Sequence, residues 1–384
     1  MTPHQLQTRI GTTAFTFRGY NTTNLGKSTE LLEHPIYGPH VAEALREASA
    51  IAADHLHRPC DLVERVRARR ETTGLDSYHE DIALIVGMSL VQLRLLEEYF
   101  GVPFAECKLA WGYSLGEPTA LIKTGVFKLE STLANLLRLA TDCADLANDV
   151  TMGVLFSRGP EIDQTAVLRA CLEISADGAG TIAPSTYLSP NSMLLLGQGK
   201  TIDRFKELMK DRLPDRAHLR KNPHRWPPLH TPITWQRSIP NRSAVLLQSA
   251  PGGFRKPSVP LISSVTGQRS YDDLNGRELL VKWVDQPQRL WDMVYETLAS
   301  GAEAVVHVGP DPNLIPATFK RISDNVAEQL AGRSWNSLGL RAFSQIVRRP
   351  WLTRLLYIRT ALLRAPFVDH VILEEWLLAH APAA

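Results

Sequence analysis

The chain is poor in cysteine, and its few cysteines lack the spacing of a metal site. Only four occur in 384 residues, namely Cys60, Cys107, Cys143 and Cys171. None forms the closely spaced pair that is typical of structural zinc sites. A chain of this length can bury enough apolar surface to fold without disulfides. We therefore expect free thiols, no bound metal and a reducing compartment.

Long apolar runs and a charge excess are also missing. No stretch of about 18 apolar residues predicts a membrane-spanning helix, and the first residues, MTPHQLQTRIGTTAF, lack the apolar segment of a secretory signal. Lys and Arg total 42 against 40 Asp and Glu, a net charge of +2, which does not predict nucleic-acid binding. With 44% hydrophobic residues, we expect a globular, cytoplasmic protein of more than one subdomain.

The stretch WGYSLGEPTALIKTGVF, residues 111–127, contains a Gly-x-Ser-x-Gly motif at a change of secondary structure. An apolar run typical of a buried strand precedes it, and a helix is predicted from about Glu117. Glycines on both sides permit a sharp corner that presents the hydroxyl of Ser114, while the N–H of Leu115 lies at a helix N-terminus that favours negative charge. The serine is a candidate nucleophile; a structural turn is the alternative.

The order of predicted elements indicates an α/β fold with an insertion. Residues 12–17 read as a strand, and residues 39–52 and 79–100 have the apolar spacing of helices. From residue 151 the pattern is β-α-β-β-α-β, which is typical of a ferredoxin-like unit. Strand and helix signals of the first type resume after the Pro- and Arg-rich segment NPHRWPPLHTP. We predict a large α/β-hydrolase-like subdomain in two parts, 1–150 and 226–334, a ferredoxin-like subdomain at 151–225, and a C-terminal helical extension at 335–384.

The predicted extension combines leucines with regularly placed arginines, among them Arg348, Arg349, Arg354, Arg359 and Arg364. Such a basic amphipathic helix suits contact with a membrane surface or a protein partner. A helix that covers the body of the protein while its long arginine side chains reach water fits the pattern as well. Both interpretations stay open on the sequence.

A catalytic serine requires a base, and His230 is the best candidate among the twelve histidines. His55, His57, His218 and His224 lie in polar stretches that are typical of the surface, and His307 lies in a predicted strand. His230 stands in WPPLHTP, residues 226–232, where the prolines and apolar neighbours would restrict its ring. This is an argument from the setting alone.

Four blocks of the chain resemble one family. GYSLGE with the following Ala120–Leu121 and Gly125–Val126–Phe127, then LHTP, VPLISSVTGQ and VVHVGP, is similar in content and order to the motifs of malonyl-CoA:acyl carrier protein transacylases and polyketide synthase acyltransferases. The resemblance covers residues 12–320 and implies the same split architecture. It implies transfer of an acyl group through an acyl-serine formed on Ser114, with His230 as base. The backbone N–H groups of Leu115 and Tyr20 would hold the oxyanion, and a carbonyl near Ser264 would orient the histidine.

The chain departs from the family where the acyl group is selected. The position of the family's carboxylate-binding arginine falls on Leu139, the pocket glutamine aligns near Glu80, and Leu229 directly precedes the base. A malonyl carboxylate buried without a guanidinium would cost several kcal/mol. We therefore expect an uncharged, non-malonyl acyl group.

The resemblance implies an acyl thioester and an acyl carrier protein as reaction partners. No permanently bound cofactor is expected, because coenzyme A or phosphopantetheine enters as substrate. A basic stretch close to His230 could contact these partners, with Arg216, Arg220, Lys221 and Arg225 as candidates, although a solvated surface fits its charge equally well. Two alternatives to transfer stay open: a hydrolase that removes acyl groups on the same scaffold, and a non-catalytic assembly protein.

Overall fold

The strands of the chain form two separate sheets. The computed structural model describes residues 1–71, 74–158, 161–213, 217–331 and 359–383. Its strands are β1 (Thr13–Phe17), β2 (Leu109–Gly112), β3 (Val150–Ser157), β4 (Ile182–Ser189), β5 (Ser192–Gln198), β6 (Ala217–Arg225), β7 (Leu261–Ile262), β8 (Ala304–Val308) and β9 (Asp369–Ile372). The large sheet has the order β7-β2-β1-β8-β9, and the small sheet β4-β5-β3-β6.

All neighbouring strands of the large sheet are parallel, and helices cover both of its faces. Phe15 and Phe17 of β1 pack into one apolar cluster, whereas Ala14 between them belongs to another. This alternation buries β1 on both faces, and its two threonines, Thr13 and Thr16, are fully buried as well. The helices of this subdomain are α1 (Pro3–Thr8), α2 (Ser28–Glu33), α3 (Gly38–Leu56), α4 (Leu62–Arg67), α5 (Tyr78–Phe100), α6 (Gly116–Lys123), α7 (Leu129–Leu146), α10 (Ile239–Ser249), α11 (Gly276–Asp285), α12 (Leu290–Ala299), α13 (Leu314–Ala331) and α14 (Leu373–Ala379).

The small sheet is antiparallel and carries two helices on one face, α8 (Gln164–Ala176) and α9 (Thr201–Arg212). Leu155, Leu195 and Phe205 are among the residues of its own buried core. On the other face of the sheet, Leu188 and Leu194 join a cluster that includes Trp111 and Trp291 of the large subdomain. The β-α-β-β-α-β order and the strand order confirm the predicted ferredoxin-like unit, and the large sheet confirms the α/β fold.

The sequence predicted only part of the structure at the C-terminal end of the chain. Residues 332–358, which carry Arg348, Arg349 and Arg354 of the expected basic helix, lie outside the described residues. Beyond them, a 3-10 helical segment (Thr360–Phe367) leads into β9, which the sequence analysis did not predict. Only four residues long, β9 exposes Asp369 and His370 and buries Val371, so it offers too little apolar pattern to detect.

The C-terminal helix α14 fastens the loop that follows β1. The carboxylate of Glu374 accepts hydrogen bonds from the N–H groups of Lys27 and Asp311, both at 2.9 Å. Gly26 has a φ of +49°, and a Cβ on it would lie 2.6 Å from a Glu374 oxygen. Burial raises the pKa of Glu374 to about 7. Among the described residues, none of the helices is long and apolar enough to span a bilayer.

Candidate active site

Ser114 occupies a tight corner at the carboxyl end of β2. Its φ of +52° is in the left-handed region, a strained conformation for a residue with a side chain. A Cβ on Gly112 would lie 1.9 Å from the carbonyl carbon of Gly116, and one on Gly116 would lie 2.1 Å from the Phe17 oxygen. No side chain fits at either position. The two glycines of the motif therefore let strand, corner and helix approach closely enough to raise the serine above the sheet.

The fold brings His230 to Ser114 from 116 residues away. The Ser114 Oγ lies 2.8 Å from His230 Nε2, and His230 Nδ1 lies 2.7 Å from the backbone oxygen of Trp283. Because a carbonyl only accepts, the proton of the neutral ring belongs on Nδ1. Nε2 then has a free lone pair that accepts the Ser114 hydroxyl, which is the arrangement of a serine and its general base.

The C-terminus of α11 holds the histidine. The last carbonyls of a helix have no partners inside it, and two of them are used here: Val284 oxygen accepts the His230 N–H at 2.7 Å, while Trp283 oxygen accepts Nδ1–H. The negative end of the helix dipole also favours the imidazolium that forms during proton transfer. The expected carbonyl near Ser264 is wrong, because β7 ends at Ile262 and the Ser264 oxygen accepts the Arg289 N–H instead, at 2.7 Å.

Burial makes His230 a weak base. Only 6% of the residue is exposed. Burial lowers its pKa to about 4, against the opposing effect of the hydrogen bond to Trp283. The ring is therefore neutral at physiological pH and ready to accept a proton.

Two backbone N–H groups near Ser114 are available to bind an oxyanion. The Trp283 indole N–H donates to the Ser114 oxygen at 3.0 Å, and the Ser114 N–H donates to Gln288 Oε1 at 3.2 Å. In the described part of the chain, the N–H groups of Leu115 and Tyr20 have no intramolecular acceptor. Gly19 lies so close that a Cβ on it would be 3.1 Å from Ser114 Cβ. The loop with Tyr20 is thus beside Ser114.

A small cavity of about 60 Å³ opens beside Ser114 and His230. Its wall is mostly aromatic and aliphatic, with Tyr20, Tyr78, Tyr113, Met152, Ser185, Thr186, Leu194, Leu196, Trp226, Pro227 and Leu229. The Tyr20 ring meets the Tyr78 ring edge to face at 4.9 Å. Of the three pocket residues expected from the sequence, the structure brings Leu229 to this cavity.

Glu80 and Leu139 do not line the cavity. Glu80 lies on α5, with a carboxylate oxygen 3.4 Å from the buried guanidinium of Arg65. Leu139 is buried in α7 as part of the main core.

The buried carboxylate of Glu117 stabilises the helix that follows the Ser114 corner. Glu117, at 0% exposure, accepts hydrogen bonds from the Ser264 N–H at 3.1 Å, the Ser264 hydroxyl and the Tyr271 hydroxyl at 2.7 Å. Burial raises its pKa. These bonds tie the start of α6 to the segment after β7 and fix the helix that follows the nucleophile.

Two of the four expected basic residues lie along a groove of about 890 Å³ beside the small sheet. Arg220 and Lys221 of β6 line it together with Arg158 and Arg321, and Lys221 pairs with Asp203 at 2.7 Å. Arg225 ends the same strand without lining the groove, and Arg216 lies outside the described residues.

Alternate residues of β3 connect this groove with the cavity. Met152 lines the cavity, whereas Val154 and Phe156 line the groove. Because alternate residues of a strand share a face, the two openings lie along one face of the small sheet. Arg220 pairs with Val154 in the sheet register and faces the same side.

Several residues of the site were not foreseen. Trp283, Gln288 and Tyr78 lie in no motif, and Tyr113 lies within the Gly-x-Ser-x-Gly motif without an assigned role. Trp283 contributes a backbone oxygen, which any residue could supply, and an indole N–H that reaches Ser114 from far along the chain, so no pattern in the sequence signals it. Within the described ranges, no group of three or more His, Cys, Asp and Glu side chains could hold a metal ion.

Comparison with known proteins gives one group of relatives. No family model matches the chain. A curated relative, polyketide synthase GfsA of Streptomyces halstedii, is 23% identical over 304 residues, which is 78% of this chain and 4% of that protein. The chain therefore spans only a small part of the length of the curated relative it matches.

Solved structures with the same fold include FabD from Acinetobacter baumannii (20% identity, TM-score 0.64, covering 81% of this chain and 91% of that one). A malonyl CoA-acyl carrier protein transacylase from Clostridium perfringens is 18% identical, with a TM-score of 0.64, and covers 82% and 90% of the two chains. An acyl-carrier-protein S-malonyltransferase from Bartonella henselae is 19% identical, with a TM-score of 0.62, and covers 96% and 97%. These findings confirm the resemblance predicted from the sequence: the chain has the fold of the malonyl-CoA:acyl carrier protein transacylases and is similar in sequence to part of a polyketide synthase.

Proposed function

We propose that the protein is a serine acyltransferase that moves an uncharged acyl group from an acyl thioester to the phosphopantetheine thiol of an acyl carrier protein. The observation that carries the proposal is the 2.8 Å contact between Ser114 Oγ and His230 Nε2 at a strained corner. The relatives named above are malonyltransferases or a polyketide synthase by description, and their likeness supports the reaction type.

The reaction follows from the hydrogen bonds of the pair. His230 Nε2 takes the Ser114 proton as Oγ bonds to the thioester carbon, and the N–H groups of Leu115 and Tyr20 stabilise the oxyanion. When the carbon–sulfur bond breaks, the imidazolium returns the proton to the leaving thiolate. The acceptor thiol then gives its proton to His230 and attacks the acyl-serine, and Ser114 recovers a proton as it leaves. No cofactor is needed in either half.

The cavity supports an uncharged acyl group. None of its lining residues is an arginine or a lysine. The buried Arg65 is already paired with Asp81 and with Glu80. A carboxylate placed among these apolar and aromatic side chains would lose its hydration without gaining a cation, at a cost of several kcal/mol.

The groove supports an approach path for the phosphate-bearing partner. Coenzyme A and phosphopantetheine carry phosphates, and Arg220 with the other cations of the groove would attract them. The apolar floor of Val154 and Phe156 leads from these cations toward Met152 at the cavity. The arm could therefore lie along β3 with its thiol at Ser114.

A hydrolase would use the same residues and differ only in the access of water to the acyl-serine. The burial of His230 and the narrow cavity favour transfer over hydrolysis. A non-catalytic role would not require the strained backbone of Ser114 or its hydrogen bond with His230.

Mass spectrometry after incubation with a series of acyl thioesters tests the proposal. We expect a stable acyl adduct that is lost in Ser114→Ala, reduced to a trace in His230→Ala, and discharged by added holo carrier protein. Rapid release of free acid without carrier would instead establish the hydrolase. Absence of both adduct and turnover across all chain lengths would refute catalysis.

A further inference from the structure

Gln288 is buried beside both members of the proposed catalytic pair. Its side chain is 0% exposed. Its Oε1 accepts the backbone N–H of Ser114 at 3.2 Å, and its Nε2 lies 3.1 Å from His230 Nδ1. A single amide group thus spans the nucleophile and the base on the side opposite to the Ser114 hydroxyl.

The backbone of Gln288 is bonded to the small subdomain. Its N–H donates to the Ser185 oxygen at 2.8 Å, and its oxygen accepts the Tyr187 N–H at 2.8 Å, which forms an isolated parallel bridge to β4. The next residue, Arg289, donates its N–H to Ser264 oxygen. The position of the amide is therefore set by both subdomains at once.

The two contacts of the amide differ in kind. The Ser114 N–H to Oε1 contact is a hydrogen bond. Because His230 Nδ1 carries a proton for Trp283 oxygen, the Gln288 Nε2 facing it cannot donate to it, and that contact is close packing of two donors. The Gln288 amide limits rotation of the His230 ring. The partial positive charge on its N–H groups disfavours protonation of the imidazole.

We propose that Gln288 is a positioning residue that fixes the Ser114 backbone and the His230 ring relative to each other and to the small subdomain. The inference depends on the proposed function, since it assigns a role toward the same serine and histidine. It adds a link by which the placement of β4 controls the geometry of the pair.

Two substitutions of similar size separate positioning from simple packing. In Gln288→Glu, carboxylate oxygens can accept both the Ser114 N–H and His230 Nδ1–H, and the negative charge stabilises the imidazolium. We expect the acid limb of the acylation rate to move up by about one pH unit or more. In Gln288→Leu, the Ser114 N–H loses its acceptor, and acylation should slow about 10- to 100-fold at every pH, as displaced catalytic groups do.

Gln286→Glu and Gln286→Leu are the matched controls. This neighbouring glutamine is exposed, and its side chain donates a hydrogen bond to Asp285 at 3.4 Å. Both control variants should keep the rate and the acid limb of the native protein. Thermal unfolding monitored by circular dichroism identifies any variant that fails to fold, and titration of His230 by NMR in folded Gln288→Glu reads the shift without activity.

The outcomes distinguish the two proposals. If Ser114→Ala still forms the adduct, the proposed function is refuted, and with it the role of Gln288 that depends on it. If Ser114→Ala abolishes the adduct while folded Gln288→Leu and Gln288→Glu both keep the native rate and acid limb, the positioning role alone is overturned. A slower rate in Gln288→Leu together with an upward shift of the His230 pKa in Gln288→Glu supports it.

Discussion

The burial of His230 predicts an enzyme that stays active well into the acid range. With a pKa of about 4, about 97% of the rings are neutral at pH 5.5, whereas at the ordinary value of 6.5 only about 9% would be. The neutral ring is the form that accepts the serine proton. We therefore expect the rate of acyl-serine formation at pH 5.5 to equal that at pH 7.5, with an acid midpoint below about pH 5.

The same shift predicts a loss of stability in acid. The unfolded chain binds a proton on this histidine near pH 6.5, while the folded protein binds it only near pH 4. The contribution of the neutral, buried ring is therefore complete above pH 6.5 and is lost as the pH falls toward 4, to a total of about 3 kcal/mol. His230→Gln removes the titration, so its free energy of unfolding should depend less on pH.

Rapid-quench mass spectrometry of the acyl adduct between pH 4.5 and 8 measures the rate, and urea unfolding of native protein and His230→Gln at pH 5 and pH 7.5 measures the stability. Because other buried groups titrate in both proteins, only the difference between the two curves reports on His230. An acid limb centred at pH 6.5 or above, with identical pH dependence of unfolding in the two proteins, would refute the argument from burial.

Three further predictions concern the corner, the cavity and the groove. Gly112→Ala should lower the free energy of unfolding by about 3 kcal/mol or more in urea titrations, because its Cβ would meet the backbone of Gly116. Gly11→Ala has open space around its Cβ and should change the free energy of unfolding by less than about 1 kcal/mol. Equal effects of the two substitutions would contradict the steric explanation. Leu139→Arg should increase the malonyl adduct relative to the adduct of an uncharged acyl group of equal length, since it restores a guanidinium at the position that the resemblance gives to the carboxylate-binding arginine; an unchanged ratio would count against the alignment at this position. Arg220→Glu should raise the KM for acyl-coenzyme A about tenfold at low salt and less at high salt, whereas Arg46→Glu, at an exposed position, should leave the KM unchanged. If both variants raise the KM equally and independently of salt, the groove is not the approach path.

The sequence was most informative where one residue type is required. Gly112 and Gly116 are needed because no Cβ fits, and Ser114 and His230 are needed for their chemistry, so these positions were identified before the structure. The split large subdomain and the inserted ferredoxin-like unit were predicted for a related reason. Long apolar patterns with a clear period, as in α5, specify an element directly.

The missed features depend on the backbone and on distant contacts. Trp283 acts through its carbonyl at a helix end, and Gln288 becomes important only because β4 places it between two residues far apart in the chain. The ungapped count placed Leu139 in the pocket, whereas the residue is buried in the main core and does not line the cavity. Short β9 carried too few apolar residues to be recognised.

The bonds made by Glu374 mean that the end of the chain contributes to the geometry near its beginning. A shortened protein that stops before Asp369 would expose β8 as an unprotected sheet edge, and the amides of Lys27 and Asp311 would lose their acceptor. The segment between Phe17 and Ser28, which includes Tyr20, would then lose one of its anchors and keep the hydrogen bonds that Asn24 and Leu25 donate to Glu71. Anyone trimming the protein for crystallisation should keep these last residues, since their removal would loosen a donor beside the nucleophile while leaving every catalytic side chain in the sequence.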